Sequence, residues 1–178
     1  LVSIPPSFQS RIQEMHRSLG INPGYINNSK LPLCSEPDEL VDTELDFLNR
    51  PQRLTPAAFA AWTEMKSSAA ADGVELFLVS AFRSIQYQYE LIERKIERDQ
   101  KIEDILKVNA APGFSEHHSG RAIDIGTSAC DPLVEEFEKT EAYQWLDKNA
   151  QRFDFSLSYP KSNSYGIDYE PWHWCFSP

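Results

Sequence analysis

The sequence predicts a single α+β domain in which a small, mostly antiparallel sheet is flanked by helices. Its length of 178 residues suits one compact domain with a sizeable core. Helical patterns are concentrated in the earlier part of the chain, whereas short apolar runs typical of strands are spread over its later part. We find no internal repeat and no low-complexity tract. This distribution of elements is typical of the α+β class.

Residues 1–50 are interpreted as a wrapping segment of the same domain, and residues 51–178 as its main part. The first fifty residues are rich in proline and turn formers, for example Pro5-Pro6 and Asn22-Pro23-Gly24. One short helix is expected among them, from about Phe8 to Leu19. A segment of this composition covers a core more readily than it builds one.

The first main helix is predicted to begin after Thr55, with proline at its first position, and to end at Asp72-Gly73. Its inward face carries large apolar side chains at helical spacing: Phe59, Trp62 and Met65. The apolar run 74–79 then predicts a buried strand.

A second helix is predicted to follow Ser84, with apolar residues on one face and charges on the other. Its apolar face consists of Ile85, Tyr89, Ile92 and Ile96. Further helices are expected to begin at Asp131-Pro132 and at Thr140. Three later strands are expected, at residues 122–125, 153–159 and 172–176.

The net charge of −10 argues against a nucleic-acid-binding protein, which needs a basic surface to neutralise phosphates. The same charge would repel an anionic membrane surface, and no apolar run is long enough to span a bilayer. An anionic substrate remains possible where one buried arginine reverses the local potential. No signal peptide is visible, but the sequence opens at Leu1, so we expect a mature or trimmed form.

Two segments, residues 115–124 and 170–174, contain three of the four histidines together with several carboxylates. Catalytic zinc typically takes three protein ligands and keeps a fourth position for water, and His117, Asp124 and His173 would supply such a set. Glu170 lies three residues before His173. Because Pro171 interrupts regular strand geometry, both side chains could face one site.

Spacing alone does not establish this metal site, because a seven-residue step from His to Asp and a Glu-x-x-His pattern are both common. His16 and His118 are expected to be surface or hydrogen-bonded histidines rather than ligands. Cys175 is expected to be a small buried hydrophobic residue or a disulfide partner, since three cysteines permit at most one intramolecular disulfide.

Three motifs nevertheless resemble one enzyme family. Residues 115–124 resemble the Ser-x-His-x-x-Gly-x-Ala-x-Asp signature of the D-alanyl-D-alanine carboxypeptidase family that includes the VanY-type enzymes. Residues 169–173 resemble its closing Glu-Pro-Trp-His motif. Residues 80–84, followed by Gln88, resemble its Ser-x-Tyr-Arg-Ser element. The three motifs stand in the family's order and extend over just over half of the chain.

The resemblance implies a catalytic domain at residues 51–178 that holds one zinc ion per chain on the sheet, with His117, Asp124 and His173 as ligands. It implies that Glu170 is the general base. Arg83 would act in catalysis and in substrate binding, either on the terminal carboxylate or on the oxyanion. The further substrate-binding residues that it implies are Gln88, Ser115, Tyr159 and Trp172. Gly120 is expected to permit close backbone approach near the metal.

The implied function is that of a zinc metallocarboxypeptidase, a D,D-carboxypeptidase that removes the terminal D-alanine from peptidoglycan stem peptides. The alternatives are an L,D-carboxypeptidase, a peptidoglycan endopeptidase and a non-catalytic zinc module that binds wall peptides. We expect a monomer in the cell envelope, in the periplasm or secreted, with a cytoplasmic location left open by the missing signal peptide. Phe82 replaces the family's usual tyrosine and Ser158 its arginine before Tyr-Pro, so the details of substrate recognition stay open.

Overall fold

The computed structural model describes residues 6–178 and contains a four-stranded and a two-stranded sheet, both antiparallel. The six strands are β1 Val41–Asp42, β2 Arg53–Leu54, β3 Phe77–Ser80, β4 Ala122–Gly126, β5 Phe155–Leu157 and β6 His173–Phe176. The larger sheet has the order β3-β4-β6-β5, and β1 pairs with β2. The predicted α+β fold with an antiparallel sheet is thus confirmed.

The helices surround this sheet. They are α1 Pro6–Ser18, α2 Tyr25–Asn28, α3 Pro56–Ala71, α4 Ile85–Ile96, α5 Ile102–Val108 and α6 Glu141–Asn149. Three single 3₁₀ turns are formed by Glu116–Ser119, Glu135–Lys139 and Ala150–Phe153. The predicted helices after Thr55, after Ser84 and after Thr140 are confirmed, and α1 overlaps the helix predicted near the start of the chain.

Two of these helices begin with a side-chain cap. The hydroxyl group of Ser84 accepts a hydrogen bond from the backbone N–H of Tyr87 at 3.0 Å, and Thr140 does the same for Tyr143 at 3.2 Å. Each bond satisfies one of the backbone donors that a first helical turn leaves without a partner. The caps therefore fix where α4 and α6 start.

The prediction of a helix at Asp131-Pro132 was wrong. Leu133 has a φ of 59°, in the left-handed region, so the chain turns there and helical geometry begins only at Glu135. The strand predicted over 153–159 is also shorter. Asp154 has a φ of 59° and ends the preceding 3₁₀ turn, so β5 starts at Phe155.

Two apolar cores support the fold. The first lies against the four-stranded sheet and includes Trp62 and Met65 of α3, Ile123 and Ile125 of β4, and Leu146 of α6. The second joins the N-terminal helix to the later ones. It includes Ile12 of α1, Ile85 and Ile92 of α4, Ile105 of α5, and Tyr159.

The described part of the N-terminal segment is bonded to the rest of the chain at several points. Cys34 N–H donates to the carbonyl of Gly113 at 2.7 Å, and the carboxylate of Glu36 accepts from the N–H of Ile85 at 2.7 Å. Pro5, part of a predicted turn, lies outside the described residues.

No helix within residues 6–178 is long and apolar enough to cross a membrane.

Gly120 has a different role from the expected one. Its φ of 65° is unfavourable for other residues, and a Cβ atom there would lie 2.8 Å from Cδ2 of Leu40 and 3.3 Å from Cγ2 of Thr55. The close approach therefore involves the N-terminal segment and the start of α3.

Candidate active site

Pairing of β4 with β6 places two of the predicted ligands opposite each other, Asp124 against His173. His117 lies in the 3₁₀ turn just before β4 and reaches the same point. Nε2 of His117 is 3.3 Å from one carboxylate oxygen of Asp124, and Nδ1 of His173 is 3.1 Å from the other. One ligand atom from each of the three buried residues lies within 4.8 Å of the others. The three predicted ligands therefore converge.

The second nitrogen of each imidazole is held by an acceptor. Nδ1 of His117 lies 2.6 Å from the carbonyl oxygen of Ala81, and Nε2 of His173 lies 2.9 Å from a carboxylate oxygen of Glu116. Ligating histidines typically have such a partner, which fixes the ring and the tautomer. Nε2 of His117 and Nδ1 of His173 are thereby left facing Asp124. The donor set fits a tetrahedral divalent cation such as zinc, with one position open to water.

The charges of the site are adjusted by burial and by this pairing. Burial opposes ionisation of Asp124, but the charges and hydrogen bonds of His117 and His173 hold the pKa of its carboxyl far below the usual range. Burial also opposes a charged His173. Its hydrogen bonds to Asp124 and Glu116 nevertheless raise the pKa of His173 to about 10. The carboxylates of Asp124 and Glu116 are thus negatively charged and stabilise positive charge between them, as a cation site requires.

Glu170 lies beside this cluster. One of its carboxylate oxygens is 3.7 Å from Nδ1 of His173. A turn produces this position, because the N–H of His173 bonds to the carbonyl of Glu170 at 3.1 Å and β6 begins only at His173. Burial, with help from the charge of Asp124, raises the pKa of Glu170 to about 7. A carboxylate with such a pKa is suited to accept a proton at neutral pH and to return it.

Arg83 approaches the cluster from the N-terminal end of α4. Its Nη2 is 3.9 Å from the Asp124 carboxylate and 3.4 Å from the hydroxyl of Ser80. Its backbone N–H also bonds to the carbonyl of His117 at 3.1 Å, so the Arg83 backbone is tied to a ligand residue. The guanidinium group is thus held beside the three predicted ligands, where it can bind an anionic group.

Gln88 is placed behind Arg83. Its side-chain oxygen accepts from Nη1 of Arg83 at 3.0 Å, and its amide nitrogen donates to the carbonyl of Ala110 at 2.7 Å. Gln88 is 0% exposed and does not line the cleft in front of the cluster. The direct contact with a peptide that the motif implied is therefore corrected to a supporting contact with Arg83.

A cleft of about 530 Å³ opens in front of the cluster. Ser115, Tyr159 and Trp172, all predicted to bind substrate, lie in its wall. The Tyr159 ring centroid is 4.8 Å from that of His173. The cleft also contains Arg83, Glu170 and the three predicted ligands. With the exception of Gln88, the predicted site residues thus border one cavity.

The other histidines and the cysteines lie outside the ligand set. His16 is buried and bonded through Nε2 to the carbonyl of Pro112 at 2.8 Å, and His118 is buried and bonded to Arg83 and Gly113. They are thus hydrogen-bonded histidines and not surface ones. All three cysteines are free thiols, and Cys175 is buried.

Glu116 was missed by sequence reasoning. Its position in the first motif, next to the predicted ligand His117, was the available signal. What the sequence did not reveal is the direction of its side chain, which points at the histidine of the other motif.

Comparison with known proteins gives consistent results. Residues 51–178 match the family model described as VanY, D-alanyl-D-alanine carboxypeptidase. A D-alanyl-D-alanine carboxypeptidase of Enterococcus faecalis (strain ATCC 700802 / V583) is 30% identical over 144 residues, which are 75% of this chain and 52% of the relative. The chain therefore spans about half the length of this curated relative.

Solved structures agree in fold. The LdcB LD-carboxypeptidase has a TM-score of 0.72 and 32% identity, covering 82% of this chain and 71% of its own. VanYB in complex with D-alanine-D-alanine has a TM-score of 0.63 and 25% identity, with 85% and 83% covered. A D,D-pentapeptidase VanY variant in complex with Zn(II) has a TM-score of 0.59 and 27% identity, with 80% and 85% covered. Because the family model matches more than half of its residues, the chain belongs to the D-alanyl-D-alanine carboxypeptidase family.

Proposed function

We propose that this chain is a zinc-dependent D,D-carboxypeptidase that removes the terminal D-alanine from peptidoglycan stem peptides. The observation that carries the proposal is the convergence of three buried ligands with a free carboxylate at the floor of one cleft. His117, Asp124 and His173 bring their ligand atoms within 4.8 Å of one another, and Glu170 is 3.7 Å from Nδ1 of His173.

Each residue has one task in the proposed reaction. Zinc held by the three ligands supplies a Lewis acid, which lowers the pKa of water towards about 7. Glu170 accepts the proton of the attacking water and passes it to the leaving amine. The Arg83 guanidinium stabilises negative charge that develops on the scissile carbonyl oxygen, because it is fixed beside Asp124 before the substrate arrives. Gln88 keeps Arg83 in this position.

The comparisons support the substrate class. The relative from Enterococcus faecalis is named a D-alanyl-D-alanine carboxypeptidase, and the VanYB structure is a complex with D-alanine-D-alanine. The structure of a VanY variant in complex with Zn(II) supports zinc as the metal. We further propose that the chain acts outside the cytoplasm, where the cell wall is.

An L,D-carboxypeptidase is the second candidate, favoured by the TM-score of 0.72 to the LdcB LD-carboxypeptidase. The two activities differ in the residue before the scissile bond, which is D-configured in one case and L-configured in the other. A peptidoglycan endopeptidase would instead cut a cross-linked wall. A non-catalytic binding module is disfavoured because Glu170, the proposed base, is present beside the ligands.

The test is to incubate the zinc-loaded protein with a defined pentapeptide stem, a tetrapeptide stem and intact cross-linked wall, and to determine the product masses. The proposal predicts a loss of one D-alanine from the pentapeptide and no change in the tetrapeptide. Cleavage of the tetrapeptide alone would establish the L,D-activity, and solubilised wall the endopeptidase. The control is protein treated with a chelator and then restored with zinc.

A further inference from the structure

The cleft contains a second cation, Lys95, which the reaction described above does not use. Lys95 lies in the last turn of α4, and its partly buried side chain lines the cleft together with Leu91 one turn earlier. Residues four apart on a helix share a face, so α4 presents this stripe to the cavity. Arg83, just before the same helix, lines the cavity as well.

Lys95 has no acidic partner within the described part of the chain, residues 6–178. None of the ion pairs within these residues includes Lys95, and the neighbouring charge that affects its pKa is that of Arg83. Burial, together with the charge of Arg83, lowers the pKa of Lys95. A partly desolvated ammonium group whose charged neighbour is another cation is unfavourable unless an anion joins it.

The carboxylates of the cleft do not fill this position. Asp124 and Glu170 belong to the metal cluster, while Glu135 and Asp168 are exposed at the rim and form no ion pair with Lys95. The Lys95 ammonium group therefore faces the cavity without an acidic partner among the described residues, in a protein whose net charge is −10. Its chemistry is that of a carboxylate-binding position.

We propose that Lys95 binds a carboxylate group that the stem peptide carries upstream of the scissile bond; this inference rests on the proposed function. Arg83 is tied to the metal cluster and serves the reacting end of the peptide. From Ile85 to Lys95, α4 rises about 15 Å at about 1.5 Å per residue, so Lys95 reaches a different group from the one that Arg83 binds. An extended peptide advances about 3.3–3.6 Å per residue, so two or three residues span about 7–11 Å, and the long side chains of Arg83 and Lys95 cover the rest of this distance.

Two groups of a stem peptide have this chemistry. One is the free α-carboxylate of the γ-linked D-glutamate. The other is the second carboxylate of a diaminopimelate at the third position. Either would form a charge-assisted hydrogen bond with the ammonium group, and both are lost by ordinary substitutions in the peptide: amidation of the glutamate, or lysine in place of diaminopimelate.

The experiment uses four pentapeptides that combine glutamate or its amide with diaminopimelate or lysine, so that one of them has no upstream carboxylate. The zinc-loaded protein is compared with Lys95→Gln and with the matched control Arg94→Gln, which removes a cation from the exposed neighbouring position. KM and kcat are measured for turnover, and binding of the same peptides is measured by calorimetry.

Lys95→Gln is expected to raise KM about tenfold for peptides that contain the recognised carboxylate, with kcat unchanged, because it removes one charge-assisted contact present in ground state and transition state alike. The peptide series then shows which carboxylate is bound. Equal behaviour of Lys95→Gln and the control with all four peptides would overturn the inference. So would an equal loss with all four, which would assign Lys95 to the terminal carboxylate. If no peptide is cleaved at all, the proposed function fails, and calorimetry still decides whether Lys95 recognises a carboxylate.

Discussion

A carboxylate oxygen of Glu116 lies 2.9 Å from Nε2 of His173, on the side of the ring away from the proposed metal position. The two residues belong to different motifs and stand 57 positions apart in the chain. The bond fixes the imidazole so that Nδ1 faces the cluster. It also makes the ring a more basic ligand, because a carboxylate acceptor favours positive charge on it.

Replacing Glu116 with Ala should weaken zinc binding by about 10–100-fold, the usual cost of losing such a supporting partner. Competition with a chromophoric chelator measures this directly, without reference to activity. Glu64→Ala, an exposed carboxylate on α3, is the matched control. Unchanged zinc affinity in Glu116→Ala would show that His173 keeps its orientation without the bond.

Replacing Glu170 with Ala should lower kcat by about 10²–10⁴-fold, the range attributed to a positioned general base. Zinc content should stay at that of the unmodified protein, because Glu170 is not among the three ligands. Metal analysis and release of D-alanine from a pentapeptide are measured on the same preparation. Retained turnover would remove Glu170 from the mechanism, and loss of zinc would instead make it a ligand.

Replacing Gln88 with Leu should lower kcat/KM by about 10–100-fold, since a hydrogen bond to a charged group contributes about 1.5–3 kcal/mol. The cause would be a less well oriented Arg83, because Gln88 itself does not reach the cleft. Gln86→Leu, an exposed position on the same helix, serves as the control. If both variants behave alike, the Arg83–Gln88 bond has no part in catalysis.

His118 should make the protein sensitive to acid. Its Nε2 accepts from the N–H of Gly113 at 3.2 Å, so Nδ1 carries the proton and donates to the carbonyl of Arg83 at 2.7 Å. Burial lowers the pKa of His118 to about 4, from an ordinary value of 6.5. Between these two values the unfolded chain binds a proton that the folded protein does not, so stability falls as the pH falls.

Titration of His118 contributes at most about 1.4 kcal/mol per pH unit to the slope of the free energy of unfolding against pH. His118→Gln should therefore flatten the dependence of the urea midpoint on pH between pH 6.5 and 4. Metal-free protein is used, so that zinc release does not contribute, and the difference between the two slopes cancels the titrations that both proteins share. Parallel curves would show that His118 does not titrate in this way.

The ligand set could be predicted from the sequence because the resemblance of two motifs to one family marks its three residues, whereas their spacing alone did not establish a metal site. The start of α4 could be predicted as well, because Ser84 is a strong capping residue whose local chemistry does not depend on distant contacts. The turn at Leu133 could not, because a non-glycine residue with positive φ is set by its surroundings and leaves no mark in the pattern.

The positions of Gln88 and Glu116 illustrate two different limits. The burial of Gln88 follows from helix periodicity, since Ile85 and Ile92 lie three and four residues away on the same inward face of α4. The same argument could have been made from the sequence, but the predicted role of Gln88 followed the family resemblance instead. The contact of Glu116 with His173 depends on how β4 and β6 are paired, which no local pattern specifies.

Asp124 is paired directly with His173 across β4 and β6, so metal binding and the shape of the cleft wall depend on different parts of the chain. The metal-binding geometry depends on the register of two short strands. Tyr159 and Trp172, which form part of the cleft wall, lie in the long segment between these strands, residues 127–172. Insertions and substitutions in that segment can change which peptide is accepted while the ligands stay in place. Peptide selectivity and metal binding are therefore free to evolve at different rates in this scaffold.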